Sequence, residues 1–150
     1  MEWRRSAGFD DYDKVVTFVS RLVWEKNLQT YVDTIKKLQQ SHDNIRAMIV
    51  GDGPAKKELE DMLPEAHFTG FITGDDLSRA YASSDVFLFP SETETFGNVT
   101  LEAMSSGLPC VVADATGSRS LVESGVNGFL APPRDTDGFA ECVANITSDP

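Results

Sequence analysis

Six short apolar runs alternate with segments of helical period along the chain, at 15–20, 45–50, 67–69, 86–89, 110–113 and 128–130. Between the first two, Leu28, Val32, Ile35 and Leu38 recur at helical steps and draw one apolar stripe on a helix spanning 27–40. Further helices are expected at 55–63, 75–82, 99–106, 118–123 and 135–146, the last with Phe139, Val143 and Ile146 on one side. A repeated strand-then-helix pattern buries its apolar surface by laying helices over a mostly parallel sheet. The expected fold is therefore α/β, a parallel sheet of about six strands flanked by helices.

In such a sheet, ligands bind outside the carboxyl ends of the strands, where loops lead into helices. Five loops qualify: Ser20 to Asn27, Gly51-Asp52-Gly53-Pro54, Thr69 to Gly74, Pro90 to Asn98, and Asp114 to Arg119. All five would share one edge.

Composition narrows what those loops can hold. The chain has 150 residues, 41% of them hydrophobic, enough for one ordinary core. Runs such as Val86-Phe87-Leu88-Phe89 fall far short of the roughly 20 residues of a membrane-spanning helix. Residues 1–7 lack the apolar stretch of a secretory signal, so a cytoplasmic location is expected. The net charge of −11 argues against a nucleic-acid surface, which needs clustered cations. That charge is uneven: residues 1–26 sum to zero and residues 27–150 carry all of it. A phosphate would favour the first loop. Cys110 and Cys142 show no metal or redox spacing and read as buried free thiols. His42 and His67 have no partner acid or nucleophile nearby in sequence, and Trp24 reads as a cover for apolar surface.

Several side chains carry usable chemistry. Arg21 follows the first strand and Lys26 stands at a helix start, so both cations could face one anion; two solvated cations, one paired with Glu25, are the alternative. Glu94 lies in the loop after the fourth strand, and Glu102 is read three residues into the next helix. A carboxylate near a helix start can accept hydrogen bonds from sugar hydroxyls, while the free amides near Asn98, Val99 and Thr100 suit a phosphate. The two acids could instead form a glycosidase pair, which needs carboxyl groups roughly 5–9.5 Å apart, or Glu102 could simply decorate a first turn. The Gly51-Asp52-Gly53-Pro54 loop lacks the third glycine of a dinucleotide fingerprint and reads as a turn with Pro54 at the first helical position. No P-loop pattern occurs.

In order, these pieces resemble the donor-binding half of a group 1 (family 4) glycosyltransferase of the GT-B type. The matching residues are Val19-Ser20-Arg21-Leu22 with Glu25-Lys26-Asn27, then Ile49 to Pro54, then Phe68-Thr69-Gly70. The strongest stretch is Phe89-Pro90-Ser91, Glu94-Thr95-Phe96-Gly97 and Leu101 to Pro109, closed by Gly125 to Leu130. The likeness runs over about residues 15–150. It implies a Rossmann-like sheet, the C-terminal half of a GT-B fold, and a retaining transfer of a hexose from a nucleoside-diphosphate sugar to an acceptor hydroxyl. Arg21 and Lys26 would hold the donor diphosphate and offset its charge as it leaves. Glu102 would grip the ribose hydroxyls, and Glu94 would lie near the donor sugar or phosphate. Gly97, Asn98, Val99 and Thr100 would supply main-chain amides to the same group. Gly53 and Ile72 would border the base. The donor is expected to be UDP-, GDP- or ADP-linked, with no cofactor and no metal site.

Two departures stand out. Ser120 occupies the place of a family glutamate, with Arg119 beside it as a further phosphate contact. Against the family pattern the chain is expected to be a truncated donor-binding domain over 15–150, inactive alone, with 1–14 as a lead-in segment and without the family's acceptor-binding N-terminal domain. The partners expected are the donor and that missing domain, through which the full-length protein would touch the inner face of a membrane. The alternatives are a stand-alone, non-catalytic nucleotide-sugar-binding module and a GT-B nucleotide-sugar epimerase.

Overall fold

The computed structural model describes residues 2–92, 98–114 and 128–147. Six strands form one sheet: β1 Lys14–Val19, β2 Ile45–Val50, β3 His67–Gly70, β4 Val86–Phe89, β5 Cys110–Ala113 and β6 Gly128–Ala131. Their order is β3-β2-β1-β4-β5-β6, and every ladder between them is parallel. Each expected strand is present within a residue of its expected bounds. The central strands β1, β4 and β5 are buried almost throughout, as continuous apolar runs with helices on both faces must be. The edge strand β3 is only half-buried.

The helices are α1 Glu2–Ser6, α2 Leu28–Ser41, α3 Lys56–Met62, α4 Gly74–Ala82, α5 Asn98–Ser105 and α6 Thr136–Thr147. The expected helix at 118–123 lies outside the described residues. On α2, Leu28, Val32, Ile35 and Leu38 are all buried, as their spacing predicts, and Tyr31 joins them. The Tyr31 hydroxyl donates to the Val16 carbonyl at 2.8 Å, so burying its oxygen leaves no polar atom unpaired. Each large side chain so buried contributes roughly 1.5–3 kcal/mol. On α6, Phe139 and Val143 are buried, while Ile146 is only partly covered.

The lead-in segment 1–14 is tied to the sheet. Its helix α1 is too short to show a period in the sequence. Arg4, 6% exposed, donates to the Ser83 carbonyl and to Asp85 Oδ2, both at 3.0 Å, and reaches the carbonyls of Asp10 and Asp13. Asp85 Oδ2 also accepts the Val15 amide at 2.7 Å. One guanidinium thus closes the amino edge of the sheet, opposite the functional edge.

The strand order reverses between β1 and β4. Sheet growth runs outward from β1 through β2 to β3 on one side and through β4 to β6 on the other. The connecting loops diverge there and leave a crevice at the carboxyl edge.

Candidate functional site

A cavity of about 500 Å³ opens at that edge. Val19, Ser20 and Arg21 line it from the end of β1, and Val50, Gly51 and Asp52 from the end of β2. Phe71, Ile72 and Thr73 come from the loop after β3, Leu77 from α4, and Val99 and Glu102 from α5. The floor is apolar, and the charged groups on its wall are Arg21, Asp52 and Glu102. Phe71, which also lines the cavity, is 79% exposed.

Two glycines make this geometry possible. A Cβ on Gly51 would stand 1.9 Å from the Ser20 carbonyl oxygen, and one on Gly53 would stand 2.5 Å from the Leu22 oxygen. Gly51 also has φ +134, open only to glycine. The loops after β1 and β2 are therefore clasped backbone to backbone. The Leu22 amide donates to the Asp52 carbonyl and the Ala55 amide donates to the Leu22 carbonyl, both at 3.0 Å. This clasp corrects the reading of Pro54 as the first helical residue. Pro54 stands in a turn closed by Lys56 N–H to the Gly53 carbonyl at 3.2 Å, and α3 begins only at Lys56.

Glu102 also sits differently from expectation. Because α5 starts at Asn98, Glu102 opens the second turn, beyond the free amides of the helix start. What holds it is Tyr81, whose buried hydroxyl donates to Glu102 Oε1 at 3.3 Å. Burial, and then the Glu102 charge, raise the Tyr81 pKa above its usual value, so the phenol keeps its proton. No sequence period marks this pair; α4 and α5 meet only in three dimensions.

Arg21, Ile72, Val99 and Glu102 thus share one cavity. Gly53 is not among the lining residues and packs in the clasp with Leu22. Lys26 lies in a 3₁₀ turn, Trp24–Lys26, and is not among the residues that line the cavity. Thr100 is fully buried, and its Oγ1 has no hydrogen-bond partner among the described residues. Asn98 opens α5. Glu94 and Gly97 lie outside the described residues, as do Arg119 and Ser120.

The remaining side chains behave as packing. His67 meets the Phe9 ring edge-on at 5.8 Å, and His42 closes the C-terminus of α2. Trp24 packs against the core. Both cysteines are free, and burial pushes the Cys110 thiol up to about 12. Among the described residues, no group of three or more His, Cys, Asp or Glu side chains is placed to hold a metal, and no helix is long and apolar enough to cross a membrane.

A parallel sheet that reverses order beside β1, with a cavity open at its carboxyl edge, defines a doubly wound α/β ligand-binding domain. Within that class the chain belongs to the group 1 glycosyl transferases, whose family model matches residues 13–149. An uncharacterized glycosyltransferase of Methanocaldococcus jannaschii is 36% identical over 155 residues, covering 99% of this chain and 40% of that protein. A GDP-mannose-dependent alpha-mannosyltransferase of Mycolicibacterium smegmatis is 42% identical over 142 residues, 95% of this chain and 36% of that protein. Among solved structures, Anabaena HepE in complex with UDP-glucose superposes with a TM-score of 0.87 at 32% identity, over 99% of this chain and 42% of that one. The chain spans less than half the length of each.

Proposed function

We propose that this domain binds the nucleoside-diphosphate-sugar donor of a retaining hexosyltransferase. The observation that carries the reading is the placement of Arg21 and Glu102 on the wall of one cavity. A cation suits a diphosphate, and a carboxylate suits vicinal ribose hydroxyls. The apolar floor and exposed Phe71 suit a base, with Ile72 at its edge and Gly53 in the clasp with Leu22. Lys26 and Glu94 complete the phosphate and sugar side, and the main chain of Gly97, Asn98, Val99 and Thr100 supplies amides to the same group.

In this reading, catalysis is chiefly electrostatic. As the sugar–phosphate bond breaks, negative charge grows on the departing diphosphate, and Arg21 and Lys26 offset it. The acceptor hydroxyl attacks on the face the diphosphate leaves, and its proton passes to a departing phosphate oxygen. The acceptor and its binding groups belong to an N-terminal domain, so residues 15–150 act as the C-terminal, donor-binding half of a family 4 enzyme working in the cytoplasm. The transferase names of the relatives support this over an epimerase. The two relatives named with donors differ in base, GDP in one and UDP in the other, so the base must be found by experiment.

Titration calorimetry of the protein with UDP, GDP and ADP tests the proposal. One of them should bind, and Arg21→Ala and Glu102→Ala should each weaken it at least about ten-fold, the loss expected of a charged hydrogen bond. Binding indifferent to both substitutions would count against it.

A further inference from the structure

Among the described residues, the non-glycine residues with left-handed backbone are Asn27, at φ +57, and Arg134, at φ +63. Both engage the same carboxylate, Asn27 by a hydrogen bond and Arg134 by an ion pair. Asn27 Nδ2 lies 2.8 Å from Glu92 Oε2, and Arg134 Nε lies 3.3 Å from the same oxygen. Asn27 Nδ2 also lies 3.0 Å from the Pro90 carbonyl.

Asn27 closes the Trp24–Lys26 turn with a left-handed backbone, its amide bonded to the Trp24 carbonyl at 3.1 Å, a conformation asparagine tolerates better than most side chains. A left-handed position favours glycine. Asn27 stands at the N-cap of α2, where an asparagine side chain would ordinarily bond a free helix amide for about 1 kcal/mol. It makes no such bond; only its carbonyl receives the first helical amides, from Thr30 at 3.0 Å and Tyr31 at 3.3 Å. The side chain is turned away from its own helix and across to the loop after β4. The Asn27 side chain therefore joins two loops instead of capping a helix.

The chain segments joined are informative. Asn27 ends the loop after β1 that carries Arg21 and Lys26, Glu92 starts the loop that carries Glu94, and Arg134 follows β6. β1 and β4 are the neighbours at the switch point, so the bond ties together the two loops that leave the sheet there. We propose that Asn27 is a positioning residue: through Glu92 it presets the spacing of the two loops that grip the donor diphosphate. This rests on the donor-binding reading above. Arg134 is 73% exposed and contributes little energy of its own. Its role is to occupy the Glu92 carboxylate and keep that charge turned from the phosphates.

The test is calorimetric, with UDP, GDP and ADP and with the corresponding nucleosides. Asn27→Gly should keep the melting temperature, because glycine accepts the left-handed backbone, yet lose diphosphate affinity about ten-fold, a coupling usual for residues in contact. Nucleoside affinity should change far less, since a nucleoside carries no diphosphate for the two loops to hold. Asn27→Asp sets a carboxylate against both the Glu92 carboxylate and the Pro90 carbonyl and should lose at least as much; Glu92→Gln keeps an acceptor for the Asn27 amide and should retain most of the wild-type affinity. Wild-type binding with unaltered diphosphate affinity in Asn27→Gly, or as large a loss in Glu92→Gln as in Asn27→Gly, would overturn the inference alone. Failure of the wild type to bind any of the three diphosphates would overturn the donor-binding reading and this inference with it.

Discussion

The Tyr81 hydroxyl donates to Glu102 Oε1 across 3.3 Å, linking α4 to α5 at the cavity wall. Tyr81 is buried and Glu102 exposed, so the phenol is the fixed partner and the carboxylate the group it aims. Tyr81→Phe should therefore weaken the preferred nucleoside diphosphate about five-fold, the worth of one hydrogen bond, with little change in melting temperature. The matching 2′-deoxynucleotide should lose less. Equal losses for both would show that Tyr81 does not act through the ribose.

Gly53→Ala should be costly at a distance from any ligand. The new methyl would meet the Leu22 backbone at 2.5–2.9 Å, and backbone cannot step aside as a side-chain tip can. A loss of about 3 kcal/mol in urea unfolding is expected, from overpacking alone. Because the displaced loop carries Arg21, diphosphate affinity should fall as well; a variant stable and binding as the wild type would refute the clasp.

Arg4→Ala separates stability from binding. It strips the part-exposed Asp85 of its cation at the amino edge and removes a buried guanidinium's bonds to the Ser83, Asp10 and Asp13 carbonyls, at a cost of about 2 kcal/mol. Nucleotide affinity of the folded variant should match the wild type. An unchanged unfolding midpoint would mean that α1 is not part of the domain's stability.

His67 makes stability depend on pH. Burial, and then the Arg46 charge, hold its pKa below the ordinary 6.5. Protonation therefore favours the unfolded chain: this contribution is complete above about 6.5 and is lost as pH falls through the lowered value. Urea midpoints of wild type and His67→Gln, followed from about pH 8 to pH 5, should converge on acidification. Parallel curves would remove His67 as the cause.

The strands were legible because each is a run of apolar residues bounded by turn residues, and a fully buried strand has no other way to be written. Val86–Phe89 and Cys110–Ala113 have the bounds their composition predicts. The helix α1 was not legible, since five residues carry no period. Arg21 and Glu102 were picked out as candidates by their places after strands β1 and β4. Tyr81, Asn27 and Phe71 were not, because each acts through a contact with a segment distant in sequence or through exposure, and neither leaves a local trace.

Gly51 and Gly53 show the division most clearly. Sequence alone determined that a turn follows β2, since glycine and proline punctuate any chain. It also determined the α/β class, because alternating apolar runs and helical stripes have few ways to bury themselves. Only the tertiary structure decided that these glycines exist for the close approach of the β1 loop, that Pro54 precedes the helix, and that Glu102 is held by Tyr81 rather than by a helix end. The physical reason is that periodicity reports which face of an element is buried, while van der Waals contact and hydrogen bonding between elements depend on distances the linear order does not contain.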